Sequence, residues 1–124
     1  MEIFYLAIRG DVLSIEVNLL SAKVNEAAKL RNLLEQEIEL GHSKIVVDLS
    51  KCTNLDSTFI GVLVVTYKKL LAKGGEIKLV EPLEPAKELF HLTGVSKVFA
   101  TFEADVDAIR SFNKGPEVRE IAFV

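Results

Sequence analysis

"KIVVDLSKCTNLDSTFIGVLVV", residues 44–65, changes character twice within 22 positions. Lys44 to Leu49 is a continuous apolar run with one acid near its end, the pattern of a central strand covered on both faces. Ser50 to Asp56 is polar. From Ser57 onward Ile60, Leu63, Val64, Tyr67, Leu70 and Leu71 recur at three- and four-residue steps until Gly74-Gly75, so the spacing predicts a helix with a glycine stop. A buried strand, a polar loop and an amphipathic helix in that order form half of a parallel crossover.

The flanking residues extend the pattern. Residues 3–8 and 12–17 are β-prone and separated by Gly10-Asp11, which predicts an opening hairpin. Val24, Ala27, Ala28, Leu30, Leu34 and Ile38 then follow helical spacing, with Ser21 as candidate N-cap and Gly41 past the end. Glu76 to Val80 reads as a strand, Pro85 to about His91 as a short helix broken by Gly94, Val98 to Phe102 as an edge strand, and Ala104 to Phe112 as a last helix. The order predicts one α/β domain in which a small mixed sheet of about 4–5 strands carries about 4 helices. Asn113 to Pro116 reads as a linker into a tail, residues 113–124, whose Val118, Ile121, Phe123 and Val124 suit docking on the body or on another chain.

Composition narrows the function. With 124 residues, 49% hydrophobic and 27% charged, the chain fits one folded domain. Its net charge of −3, from 15 basic and 18 acidic residues, gives no footprint for nucleic acid. Phe59 to Val65, the longest strongly apolar stretch, is too short to span a bilayer, and the start of the chain lacks the features of a signal peptide. Cys52 is the single cysteine, which excludes an intrachain disulfide and a thiolate metal site and fits a cytoplasmic protein.

Enzymatic readings find little support. Ser57 lies in Leu-Asp-Ser-Thr-Phe without the glycines of a nucleophile elbow, and His42 and His91 read as structural. No phosphate-cradling glycine motif follows a strand, and the carboxylates form no metal set, so neither cofactor nor metal is expected. Asp56 or Ser57 at an N-cap explains part of the cluster, with a cap typically worth about 1 kcal/mol. Two hydroxyls and a carboxylate exceed that need. Phe59 and Ile60 are expected to form an exposed apolar pair beside this polar helix start, which suits a docking surface.

The segment from Ile45 to Phe99 resembles the STAS domain of bacterial anti-sigma-factor antagonists, and the likeness runs over roughly residues 5–112. It rests on Ile45-Val46-Val47-Asp48-Leu49-Ser50, on Asp56-Ser57-Thr58 with Gly61-Val62-Leu63, on Gly74-Gly75, and on Leu92-Thr93-Gly94-Val95 before Val98-Phe99. The resemblance implies a single STAS-type domain over residues 1–112. It also implies a regulator without catalysis of its own. Its partners would be an anti-sigma factor that is also a serine kinase, and a phosphatase; the residues leave a homodimer open.

By position, the resemblance makes Ser57 the phosphate acceptor, with Thr58 the less favoured one, and places partner binding at Asp56, Ser57, Thr58, Phe59 and Ile60. Two departures stand out. Phe59 and Ile60 replace a Gly-Leu pair common in the family, and Asn18-Leu19-Leu20-Ser21 replaces a Gly-x-Leu/Ile-Asp turn. The alternative is a STAS module used as a constitutive interaction or small-ligand-sensing unit, with Ser57 at a simple helix start.

Overall fold

The computed structural model describes residues 3–113. The hairpin β1 (Phe4–Arg9) and β2 (Val12–Val17) turns at Gly10, whose φ of 65° is the left-handed value a two-residue hairpin needs at its first turn position. A two-residue strand β3 (Ser21–Ala22) leads to helix α1 (Val24–Glu39), then β4 (Lys44–Asp48), a second two-residue strand β5 (Asn54–Leu55), helix α2 (Ser57–Ala72) and β6 (Glu76–Val80). Helices α3 (Ala86–Thr93) and α4 (Val95–Val98), strand β7 (Thr101–Phe102) and helix α5 (Asp105–Phe112) complete the described chain. Among the described residues no helix is long and apolar enough to cross a membrane.

Among the described residues five strands form one mixed sheet in the order β1-β2-β4-β6-β7, with β1 antiparallel to β2 and the other neighbours parallel. The two-residue pairing divides its side chains between two cores. Leu13, Ile15 and Val17 of β2, Ile45 and Val47 of β4, and Ile77 and Leu79 of β6 join the main core, together with residues of α1, α2 and α3. Val12, Val46 and Val80 point the other way and are covered by Ala108 of α5. Both faces of β4 are thus buried, which is why its sequence does not alternate. On the α5 side, Lys78 donates to Ser111 Oγ at 2.7 Å and stands 4.2 Å from the Phe112 ring centre, fastening the end of that helix.

Three expectations need correction. Ser21 does not cap α1: it pairs with Asn54, and Lys23 becomes the cap residue, its N–H donating to Glu26 Oε1 at 2.9 Å. Cross-strand pairing outweighs the local preference of a serine. Val98 closes helix α4 rather than opening a strand, because Gly94 at φ 78° ends α3 and lets one further turn form; the edge strand shrinks to Thr101–Phe102. Phe59 and Ile60 are not an exposed pair, with relative exposures of 0% and 7%. Helical spacing turns both inward to join Leu63 in the core. The docking tail expected over residues 113–124 lies, beyond Asn113, outside the described residues.

Candidate functional site: the entrance of helix α2

The loop between β4 and α2 is tied down from both sides before it reaches Ser57. Ser21 and Ala22 pair with Asn54 and Leu55, Thr53 and Asn54 N–H groups donate to the Leu20 carbonyl at 2.8 and 3.1 Å, and Asp56 N–H donates to the Ala22 carbonyl at 3.3 Å. From the other side Leu83 N–H donates to the Cys52 carbonyl and Ala86 N–H to the Thr53 carbonyl, at 2.8 and 3.0 Å. Asp48 Oδ1 accepts from Ser50 N–H at 2.9 Å and turns the chain at the strand's end. The loop has little freedom to move.

Asp56 is the N-cap. Its backbone is extended (φ −104°, ψ 172°) and its Oδ1 accepts the Phe59 N–H at 2.9 Å, while its carbonyl accepts the Ile60 N–H at 3.1 Å. Ser57 and Thr58 are exposed, and among the described residues no hydrogen bond engages either side chain. Their N–H groups begin a 16-residue helix with the positive end of its dipole facing solvent. The cap therefore occupies the aspartate and leaves both hydroxyls available.

Thr58 also lines a shallow groove of about 330 Å³ between α1 and α2, together with Arg31, Gly61 and Val62. At the same end of the sheet Leu20 and Leu83, with exposures of 71% and 51%, border a hollow of about 380 Å³ with Ser50 and Lys51. Lys51 pairs with Glu16 at 2.5 Å, and that contact raises the lysine's pKa. Apolar side chains thus flank a polar loop at one pole. This clustering is not legible in the sequence, since Leu20 and Leu83 obey no periodicity and the two-residue strands are too short to have one.

The partner-binding set predicted from the sequence divides accordingly. Asp56, Ser57 and Thr58 sit together at the helix start, the first half-buried and the other two exposed, while Phe59 and Ile60 form the floor beneath them. His42 lies before the start of β4, at the opposite end of the sheet, beside Glu37 at 3.4 Å. His91 Nδ1 is 3.4 Å from Ser96 Oγ. Neither imidazole is bonded to Ser57. Among the described residues no group of three or more His, Cys, Asp or Glu side chains forms a metal set.

Cys52, five residues before Ser57 in sequence, is fully buried, and its thiol is pushed up to about 12, first by burial and second by the Asp48 charge. A thiol is neutral while protonated, so folding favours the protonated form. Between the unfolded pKa of about 9 and the folded one, the unfolded chain binds fewer protons, and this group's contribution to stability falls as pH rises above about 9. At pH 8 the native chain is expected to react with an aromatic disulfide reagent roughly a hundredfold or more slower than the urea-unfolded chain. Comparable rates in the two states would place the thiol at the surface.

Comparison with known proteins agrees with this architecture. The model of the STAS domain family matches residues 3–109. A solved Thermotoga maritima structure, classed among anti-sigma factor antagonists, superposes with a TM-score of 0.80 at 25% identity, covering 87% of this chain and 92% of that one. The anti-sigma F factor antagonist of Paenibacillus polymyxa is 29% identical over 65 residues, which is 52% of this chain and 56% of that protein. The Bacillus antagonist SpoIIAA shares the fold at 18% identity: its unphosphorylated form gives a TM-score of 0.73 over 89% of this chain and 96% of its own, and its phosphorylated form 0.65 over 88% and 98%. With the family's model matching from the first hairpin into the last helix, this chain belongs to the STAS domain family.

Proposed function

We propose that this protein is an anti-sigma-factor antagonist that binds an anti-sigma factor, itself a serine kinase, through the entrance of α2, and that phosphorylation of Ser57 releases it. Thr58 is the secondary acceptor. The observation that carries this reading is the cap geometry: Asp56 alone bonds the first turn, so the exposed Ser57 hydroxyl has no structural duty there. A phosphoryl group would add about −1.5 to −2 charges at a helix start whose free N–H groups and dipole tolerate them, so the fold would persist. A partner seated over Leu20, Leu83 and the α2 entrance would instead meet a bulky dianion beside Asp56. Binding is then lost through repulsion and desolvation. The chain acts as the kinase's substrate, and a phosphatase resets it.

A constitutive module would dock its ligand or partner at the same helix start, but Phe59 lies inside the core and presents no surface to either.

Incubation with the cognate kinase and ATP, followed by phosphopeptide mass spectrometry, is expected to find phosphate on Ser57. Ser57→Ala should keep partner binding and change stability by less than about 0.5 kcal/mol, since an exposed and unbonded side chain is removed. Ser57→Asp should weaken binding at least about tenfold, or about 1.4 kcal/mol. Equal affinity of the two variants, or an unmodified Ser57 beside a modified control substrate, would sink the switch.

A further inference from the structure

The two edges of the sheet are unlike. β7 ends one side with two half-buried residues, too short to template another strand. β1 ends the other side with six residues, Phe-Tyr-Leu-Ala-Ile-Arg, and exposes Tyr5, Leu6 and Ile8 by 45%, 43% and 57%. It contains no proline, no bulge and no charge before Arg9. Such an edge lacks the usual devices that keep strands apart.

The ladder shows which main-chain groups are free among the described residues. Asn18 N–H donates to the Ile3 carbonyl at 2.7 Å, and Arg9 and Val12 close a two-residue turn. Hydrogen-bonded pairs alternate along an antiparallel ladder, so Tyr5, Ala7 and Arg9 turn their N–H and C=O groups toward β2. Phe4, Leu6 and Ile8 turn theirs outward.

From this edge we propose that β1 pairs antiparallel with β1 of a second copy of this chain, with Leu6 on the two-fold axis, joining two sheets into one of ten strands. In that register Leu6 faces Leu6 of the second copy, Phe4 faces its Ile8, and Ile8 faces its Phe4. Each pair exchanges two hydrogen bonds, and every outward main-chain group of Phe4, Leu6 and Ile8 finds a partner. Side chains agree with the backbone. Leu6 and Ile8 lie opposite Ile15 and Leu13 within β1-β2, so the new contacts between Leu6, Phe4 and Ile8 extend the face of the main core, while Tyr5 meets Ala7 on the other face. Charges agree as well: Arg9 falls opposite Ile3 of the second copy, and the two guanidinium groups are about 20 Å apart along the strand at a rise of about 3.4 Å per residue.

Shifting the axis to Ala7 would keep the faces matched but leave both Phe4 residues without a hydrogen-bonding partner. A second copy in the first register is thus the occupant that satisfies this edge most completely. The seam is one strand against one strand, at the small end of specific interfaces, so the dimer is reversible and forms at high protein concentration. It lies at the β1 edge and makes no use of Ser57, so its success or failure is separate from that of the phosphorylation switch.

Sedimentation of the full chain across a concentration series is expected to show its mass rising from 13.7 kDa toward twice that value. Leu6→Lys, which sets two ammonium groups face to face on the axis, should hold it at the monomer mass with unchanged circular dichroism. Cross-linking fixes the register independently of that variant's folding. Leu6→Cys places two thiols across a pair with a Cα separation of about 5.5 Å, within disulfide range, whereas Ile8→Cys places them about 14 Å apart along the strands. Native Cys52 is buried and does not compete. Under mild oxidation Leu6→Cys should therefore form dimers at least about tenfold faster than Ile8→Cys, although Ile8 is the more exposed. A monomer mass at concentrations up to about 1 mM, a dimer that survives Leu6→Lys, or equal cross-linking of the two cysteine variants would overturn the proposal.

Discussion

Phe59→Ala is expected to destabilise the fold by about 3–5 kcal/mol, a large share of the 5–15 kcal/mol that holds a typical domain together. The ring has no exposure and belongs to the main core with Ile60, Leu63 and Phe90, so its loss leaves a cavity under the α2 entrance. Deleting it removes the apolar contacts of a whole side chain, and the surrounding strands are too tightly paired to collapse into the gap. Urea unfolding is the direct measurement: the midpoint should fall while the slope stays the same. Phe59→Leu, which retains most of the volume, should cost less than half as much. A loss below about 1 kcal/mol for Phe59→Ala would show that the ring does not carry the core here, and would return Phe59 to the candidate binding residues.

Gly75→Ala is the second large effect. A Cβ at this buried position would stand 2.6 Å from the Ser43 carbonyl oxygen and 2.7 to 2.8 Å from the Leu70 side chain. The carbonyl cannot retreat freely, since it accepts the Glu76 N–H at 2.8 Å, and the Gly75 N–H is itself bonded to the Leu70 carbonyl at 2.9 Å. Adding one methyl group therefore pushes the end of α2 away from the start of β4, at an expected cost of about 1–3 kcal/mol, with the upper end favoured by the backbone contact. Gly74 is the natural comparison, with φ at 84° and open space where its Cβ would be. Gly74→Ala carries only the left-handed backbone penalty of about 1 kcal/mol. Thermal unfolding should rank Gly75→Ala as the more damaging of the two, and the reverse order would show that the Ser43 contact relaxes cheaply.

The elements most legible in the sequence were those with period or punctuation: the hairpin around Gly10-Asp11, β4 as an uninterrupted apolar run, and the two long helices with their glycine stops. The small β3-β5 ladder was not legible, because two residues define no period and Ser21 carries a stronger local preference for capping. Phe59 and Ile60 are hard to place from sequence for a related reason. Read beside Asp-Ser-Thr they look like the apolar rim of a polar site, whereas the stripe continuing through Leu63, Tyr67 and Leu70 assigns them to the buried face. Of the site itself, the Asp-Ser-Thr cluster could be located in the sequence, but the hollow between Leu20 and Leu83 depends on loops brought together only by tertiary pairing.

Because the cap falls to Asp56 and not to its neighbour, the proposed switch at Ser57 would set folding information and signalling information at adjacent but separate positions. Residue 57 is free to drift among serine, threonine, alanine or an acid without endangering the helix that presents it. Within such a scaffold a regulatory input can be acquired, silenced or fixed permanently by a single residue exchange, while the aspartate before it stays under constraint for stability.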